Sequence, residues 1–259
     1  MCGAGVLPAR MAGQARRQGW RVVAFTFGEA PGVSVHADRT VPAVLNEAGA
    51  VLAALAHEQI GAVLFSGKFS MRDYFHGGRP DAAVAEITAR AGALVDTNLV
   101  QAVVTTLGQM GITLLDQRAF LGDWLAPRGC WSARPLTEAE LTDVQRGLAV
   151  ARMVAEAGIG QTVVVKQGAV MAVEASEGTT EAIRRGVAHS GPGAVVVKAV
   201  ARDHDYRFDT PTIGPETLAE AASGGATVVA VEAERVLILE KDECLRIADG
   251  AGLVLAGVA

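Results

Sequence analysis

Apolar positions along this chain come as short continuous runs separated by stretches of helical period, the pattern of buried strands alternating with helices. The opening MCGAGVLPAR is a glycine-rich turn entering a helix that runs to about Gln18, where Gly19 stops it. Arg21 to Phe25 is an apolar, β-branched strand. A first strand is also expected before Gly3, yet only Met1 and Cys2 stand there. Val51 to Glu58 reads as a helix with Asn46 as a candidate cap, and Ile60 to Phe65 as a strand ending in Ser66-Gly67-Lys68. Asp81 caps a helix to about Arg90. Thr97 to Gln109 is the next helix, and Ile112 to Leu115 the next strand. This alternation predicts an α/β fold whose N-terminal domain is a Rossmann-like parallel sheet with helices on both faces.

From Leu121 to Pro135 the period breaks, punctuated by Trp124, Pro127, Gly129, Trp131 and Pro135. The expected division is residues 1–125, a linker at 126–136, and a second domain at 137–259. Thr137 and Glu140 form a capping box for a helix to about Glu156. Thr162–Val165 and Val170–Glu174 read as a hairpin turned at Gln167-Gly168. Thr180 is the expected cap of a helix to Arg185. Ala194–Lys198 is a buried strand, and Pro215 to about Ala222 a helix. Strands at Thr227–Val231 and Val236–Leu239, a helix at Glu243–Ala248 and a strand at Leu253–Leu255 close the chain. The second domain is therefore a mixed α/β sandwich with antiparallel elements.

Composition narrows the picture. A length of 259 residues suits one large or two small domains, and at 50% hydrophobic content a core is easily built. Aromatics are only 5%, so that core must be Ala, Val, Leu and Ile. A net charge of −5 speaks against a general nucleic-acid surface. Cys2, Cys130 and Cys244 include no CxxC pair, which fits a reducing compartment without a disulfide framework. Histidines 36, 57, 76, 189 and 204 never fall at a two-ligand helical spacing, so no zinc site is expected. No apolar run reaches the ~18 residues of a membrane span. No basic region followed by an apolar one opens the chain. A cytoplasmic protein is expected, with contact at a membrane surface left open.

The chemistry concentrates in Lys198–Gly214, KAVARDHDYRFDTPTIG. It follows a buried strand and precedes a helix start at Gly214-Pro215, the place where open α/β sheets hold ligands. Asp203, His204, Asp205, Arg207 and Asp209 crowd its middle. Carboxylates hold a divalent cation or take a proton from water, while Arg and Lys neutralise phosphate. The alternative is a solvated turn with local Arg–Asp pairs. Gly3 and Gly5 before a helix suggest phosphate or sugar binding on dipole grounds alone, since Pro8 stands where a dinucleotide fingerprint wants a third glycine. Lys68 and Arg72 follow another strand end and are further phosphate candidates, or plain surface charges.

The second half resembles the LpxI type of UDP-2,3-diacylglucosamine pyrophosphatases. The resemblance runs through Gly160-Gln161, VVVKQGAVMAVEASEGTT at 163–180, AIRRG at 182–186, VVVK at 195–198, HDYRFDTPTIGPETL at 204–218 and the tail from Val231. In the N-terminal half GAGVLP matches more loosely. The resemblance implies a magnesium-dependent hydrolase of lipid A biosynthesis. Water attacks the phosphorus nearer the sugar of UDP-2,3-diacylglucosamine, giving lipid X and UMP, with the lipid held between two domains of a homodimer's subunit. It carries the catalytic role onto Asp205, with Asp209 a second candidate for the metal. The candidate substrate-binding residues are Gly3, Gly5, Leu7, Pro8, Lys68, Glu177, Gly178, Thr179, Arg184, Arg185, Lys198 and Arg207.

The chain departs from the family's pattern at several polar positions. His204 stands for Gln, Thr180 and Ile159 for Asp, and an acidic pair is reduced to Asp96-Thr97-Asn98. Those losses favour a non-catalytic relative that binds a nucleotide-sugar or lipid; the intact Asp205-Tyr206-Arg207-Phe208-Asp209 favours the enzyme. An enzyme acting on another UDP-sugar is a third reading. A nicotinamide-dependent oxidoreductase would rest on the Rossmann-like half alone.

Overall fold

A computed structural model of the chain describes residues 1–69, 78–91, 96–121 and 124–259. The chain is α/β and forms two units. One is Met1–Gly122 with Asp205–Asp209, the other Asp123–His204 with Thr210–Ala259.

In the first unit the strand Val23–Thr26 pairs in parallel with Arg39–Pro42, and Ala62–Val63 with Thr113–Leu114. The expected first strand exists as the stub Met1–Cys2. Cys2 bridges in parallel to both Thr26 and Ser66. Its N–H donates to the Phe25 carbonyl at 2.7 Å, and its carbonyl accepts from Phe27 N at 2.9 Å. Successive strand residues face opposite sides. Ala24 packs with Cys2, Ala12 and Val33, and Phe25 with Val51, Leu55, Val63, Leu107 and Ile112. Both faces are therefore covered, as parallel strands require. The strand Arg39–Pro42 has no apolar run to announce it. It is mostly exposed and ends in proline, which an edge strand tolerates.

The expected cap Asn46 does not bond to the start of the helix Ala48–His57, which has no side-chain cap on the residue before it. Its Nδ2 donates to the Gly78 carbonyl at 2.9 Å instead. Asp81 does the work twice. One oxygen accepts from Val84 N at 2.8 Å, at the start of the helix Ala82–Ala91, and the other from Gly49 N at 2.8 Å. These N–H donors, Val84 foremost, hold its pKa below the ordinary carboxylate value.

The second unit is built on a six-stranded mixed sheet. Its order is Gly129–Cys130, Val254–Val258, Val228–Glu232, Val195–Lys198, Thr162–Lys166, Ala169–Val173. The second to fourth of these run parallel; the others join antiparallel. The helix Glu138–Glu156 covers one face, with Val144, Leu148 and Ala151 packed on Val163, Val165, Val195 and Val197. Ile183 and Val187 of the helix Thr179–Ser190, Leu218 of Pro215–Ser223 and Ala248 of Lys241–Ala251 cover the other. The segment 126–136, expected as a linker, belongs to this unit. Ala126 is wholly buried in its core, and Gly129–Cys130 is an edge strand against Ala256–Gly257. The aperiodic pattern there reflects an edge strand two residues long, too short to show a period.

The capping box at Thr137 and Glu140 is formed. Glu140 also pairs with Arg134 at 2.7 Å, and Arg134 reaches on to the carbonyls of Gly252 and Thr227. The guanidinium foremost, against some desolvation, takes the Glu140 pKa from 4.5 to about 2. A carboxylate depressed on folding stabilises the fold above its unfolded pKa and loses that contribution as pH falls through the folded one. Glu140→Gln is expected to cost about 2 kcal/mol at pH 7. The gap to the native chain should narrow as pH falls from 4.5 towards 2. Urea unfolding at pH 7 and pH 3 checks this; an equal gap at both would show that the charge contributes nothing.

Candidate active site

The strand Val195–Lys198 is buried throughout because it is central in its sheet. It ends on Lys198, whose Nζ donates to Thr179 Oγ1 at 2.8 Å. The Thr179 hydroxyl donates in turn to Glu174 Oε1 at 2.8 Å. Thr179 is the first residue of its helix. The cap is Gly178 at φ 86°, which glycine alone adopts without strain, and no side chain bonds to the helix start. Thr180, the expected cap, therefore lies inside the helix: the chain turns in through Gly178, too early for Thr180 to reach the cap position.

The structure brings Gly178, Thr179 and Lys198 together and sends the two arginines apart. Adjacent helix residues diverge by about 100°. Arg184 forks onto Glu220 at 2.9 and 3.0 Å and also pairs with Glu181. Those carboxylates, Glu220 first, raise its pKa. Arg185 donates to Glu177 at 2.6 Å and to the Val173 carbonyl at 2.8 Å.

Past Lys198 the chain is tied down by a residue that sequence reasoning missed. Glu232, only 3% exposed, accepts from Val200 N at 2.9 Å, from Arg152 at 2.8 Å and from Arg235 at 3.3 Å. Arg235 then donates to the carbonyls of Ala201 at 2.6 Å and Arg202 at 2.9 Å. An acidic residue closing the run VVAVE was the available signal, since a strand buried at every position leaves no solvent for a charge.

Asp205–Asp209 belongs to the first unit. Tyr206 is 4% exposed; its carbonyl accepts from Gln117 N at 3.0 Å. The Arg118 guanidinium lies 4.3 Å from its ring centroid. Phe208 sits 5.2 Å from Phe65, which continues through Phe69 to Phe27. Four of the chain's seven phenylalanines, Phe27, Phe65, Phe69 and Phe208, gather here. With Tyr206 and Phe208 as anchors, Asp205 and Arg207 are left half-exposed and Asp209 exposed.

Arg207 holds Asp205 through Nε at 2.9 Å, Nη2 at 2.7 Å and its own N–H at 3.0 Å. This pairing raises the Arg207 pKa. The local Arg–Asp pair anticipated as the bland alternative is thus present, and it leaves the carboxylate within reach of water. Asp116 and Arg118 repeat the arrangement two residues apart, with N–H and Nε on one oxygen at 2.8 and 3.1 Å and Nη2 on the other at 2.6 Å. The recurring Asp-x-Arg spacing was the signal for this second pair.

In the glycine turn, a Cβ on Gly3 would stand 2.6 Å from the Lys68 carbonyl oxygen. Ala4 and Lys68 exchange two backbone hydrogen bonds at 2.8 and 2.9 Å. Gly3 is thus required for packing against residues 66–68, whatever else the turn does. Gly5 takes φ 104°, and Leu7 and Pro8 open the helix Leu7–Arg17, which has no side-chain cap. Lys68 is exposed. Arg72 lies outside the described residues, as do the side chains of Asp96, Thr97 and Asn98. Among the described residues no three His, Cys, Asp or Glu side chains cluster as a metal site, and no helix is long and apolar enough to cross a membrane.

Two family models cover the chain. Residues 1–124 match the LpxI N-terminal domain and residues 127–256 the LpxI C-terminal domain. The UDP-2,3-diacylglucosamine pyrophosphatase LpxI of Caulobacter vibrioides is 29% identical over 273 aligned positions, spanning 100% of this chain and 96% of that protein. At 29% identity it is a diverged member, but the match is end to end: the chain belongs to the LpxI family.

Proposed function

We propose that the chain hydrolyses the pyrophosphate of UDP-2,3-diacylglucosamine, giving UMP and 2,3-diacylglucosamine 1-phosphate, a step of lipid A biosynthesis. The reading rests on family membership and on one observation above all. Asp205 is held half-exposed next to the anchor Tyr206, with Arg207, which lies between the anchors Tyr206 and Phe208, bonded to it. Asp205 takes the proton of the attacking water as the new P–O bond forms and the P–O–P bridge breaks. Arg207 neutralises the diphosphate; a phosphate oxygen competing for its fork would free Asp205. Lys198, Thr179 and the open helix start at Gly178 are offered as further phosphate donors.

Magnesium is proposed as the cofactor, held by Asp205 and Asp209. The donor set fits Mg²⁺ in kind, since that ion uses one or two carboxylates with substrate oxygens and water. Bound there, it would add positive charge against the diphosphate. We read the first unit as Rossmann-like from its parallel order: Arg39–Pro42, Val23–Thr26, the Met1–Cys2 stub, Ala62–Val63 continued to Ser66, Thr113–Leu114. A cytoplasmic homodimer that meets the membrane only through its acylated substrate completes the proposal.

The test is UMP release from UDP-2,3-diacylglucosamine by folded protein, with magnesium and with chelator. Magnesium-dependent UMP is expected. No UMP would favour the second reading, a binding relative, which the non-acidic Ile159 and Thr180 support.

A further inference from the structure

The first unit carries two copies of one local arrangement, back to back. Asp116-Gln117-Arg118 and Asp205-Tyr206-Arg207 each fold so that the arginine N–H, Nε and Nη2 all donate to the aspartate two residues earlier. The copies are joined at their middle residues. Gln117 N donates to the Tyr206 carbonyl at 3.0 Å, and the Arg118 guanidinium lies 4.3 Å from the centroid of the Tyr206 ring. Asp116 is the cap of the 3₁₀ turn Gln117–Phe120, whose Phe120 and Leu121 are buried, so the first copy has a rigid seat in the core. The second copy has no helix or strand of its own. Its geometry depends on what Tyr206 and Phe208 rest against.

We propose that Asp116 and Arg118 are positioning residues for Asp205. Asp116 holds the guanidinium flat by a bidentate bond, and the guanidinium with the Gln117 N–H fixes Tyr206 by ring and carbonyl at once. Asp205 is the next residue, so the direction of its carboxylate follows from that clamp. Arg118 does not need to touch substrate for any of this. A cation over an aromatic face is met by Lys as well as Arg, whereas Ala removes it. The inference rests on the hydrolase reading for its activity readout only.

The test compares Arg118→Ala, Arg118→Lys and the native chain by turnover and by backbone amide exchange in residues 204–210. Misplacing a reacting group costs up to about 10²-fold in rate. For Arg118→Ala we expect kcat to fall by roughly 30-fold to 10²-fold with KM nearly unchanged. Exchange in 204–210 should rise with it, and Arg118→Lys should restore most of both. Native kcat in Arg118→Ala overturns the proposal. So does a fall in kcat without faster exchange, which would make Arg118 a group acting on substrate directly. A rise in KM alone overturns it in the same way. If the native chain releases no UMP, the function reading fails by itself, and exchange decides the clamp: unchanged protection of 204–210 in Arg118→Ala refutes it. Should Arg118→Ala fail to fold, Asp116→Asn takes its place, keeping shape while loosening the guanidinium.

Discussion

Asp205→Ala is expected to lower turnover by roughly 10³-fold or more, the loss typical of a removed general base that also faces the reacting phosphate. The substitution should leave the fold standing. The Asp205–Arg207 pair is 38% exposed on both sides, and pairs so open to water contribute only about 0–1 kcal/mol. Tyr206 and Phe208, the segment's anchors, are untouched. Substrate binding should also survive, because Arg207 is released to the diphosphate rather than removed. The measurement is single-turnover UMP release beside a binding isotherm and a thermal unfolding curve. Loss of turnover with a Tm within a few degrees of native supports the assignment. Full turnover would remove Asp205 from the mechanism. Asp209→Asn serves as the comparison: Asp209 is exposed, and a small effect there would leave the proposed magnesium to Asp205 and substrate alone.

Glu232→Ala is expected to be the most damaging single change to stability, at roughly 3–5 kcal/mol. One carboxylate, 3% exposed, satisfies Arg152, Arg235 and the Val200 N–H. Truncation leaves a buried N–H without its acceptor and two guanidiniums without their counter-charge. Breaking one side of a buried ionic group costs far more than the intact group contributes. The damage should also reach the site, since Arg235 grips the carbonyls of Ala201 and Arg202 on the path from Lys198 to Asp205. Urea unfolding reads the first effect. The second is read by kcat of the folded fraction at low temperature. Glu232→Gln keeps the acceptor for Val200 and should recover part of the stability. A change under 1 kcal/mol for Glu232→Ala would mean that water replaces the carboxylate without cost.

Contacts between near neighbours in the chain were legible from local pattern. The capping box at Thr137 and Glu140, the cap at Asp81 and the turn at Gln167-Gly168 are bonds between residues a few positions apart, and each forms as its pattern predicts. Apolar runs gave the strands at Val23–Thr26, Thr162–Lys166, Val195–Lys198 and Val228–Glu232, because a run buried on both faces needs no partner to be recognised. The density of charge from Asp203 to Asp209 marked the candidate site. Only tertiary structure decided the rest. It seated residues 205–209 in the first unit, because Arg118, which lies over Tyr206, and Phe65, which meets Phe208, come from positions far back in the chain. It joined Gln117 and Arg118 to that segment across some ninety residues, turned Arg184 and Arg185 to different carboxylates, and made Glu232 the tie for the loop. Each depends on which distant group lies opposite, a quantity no local pattern carries.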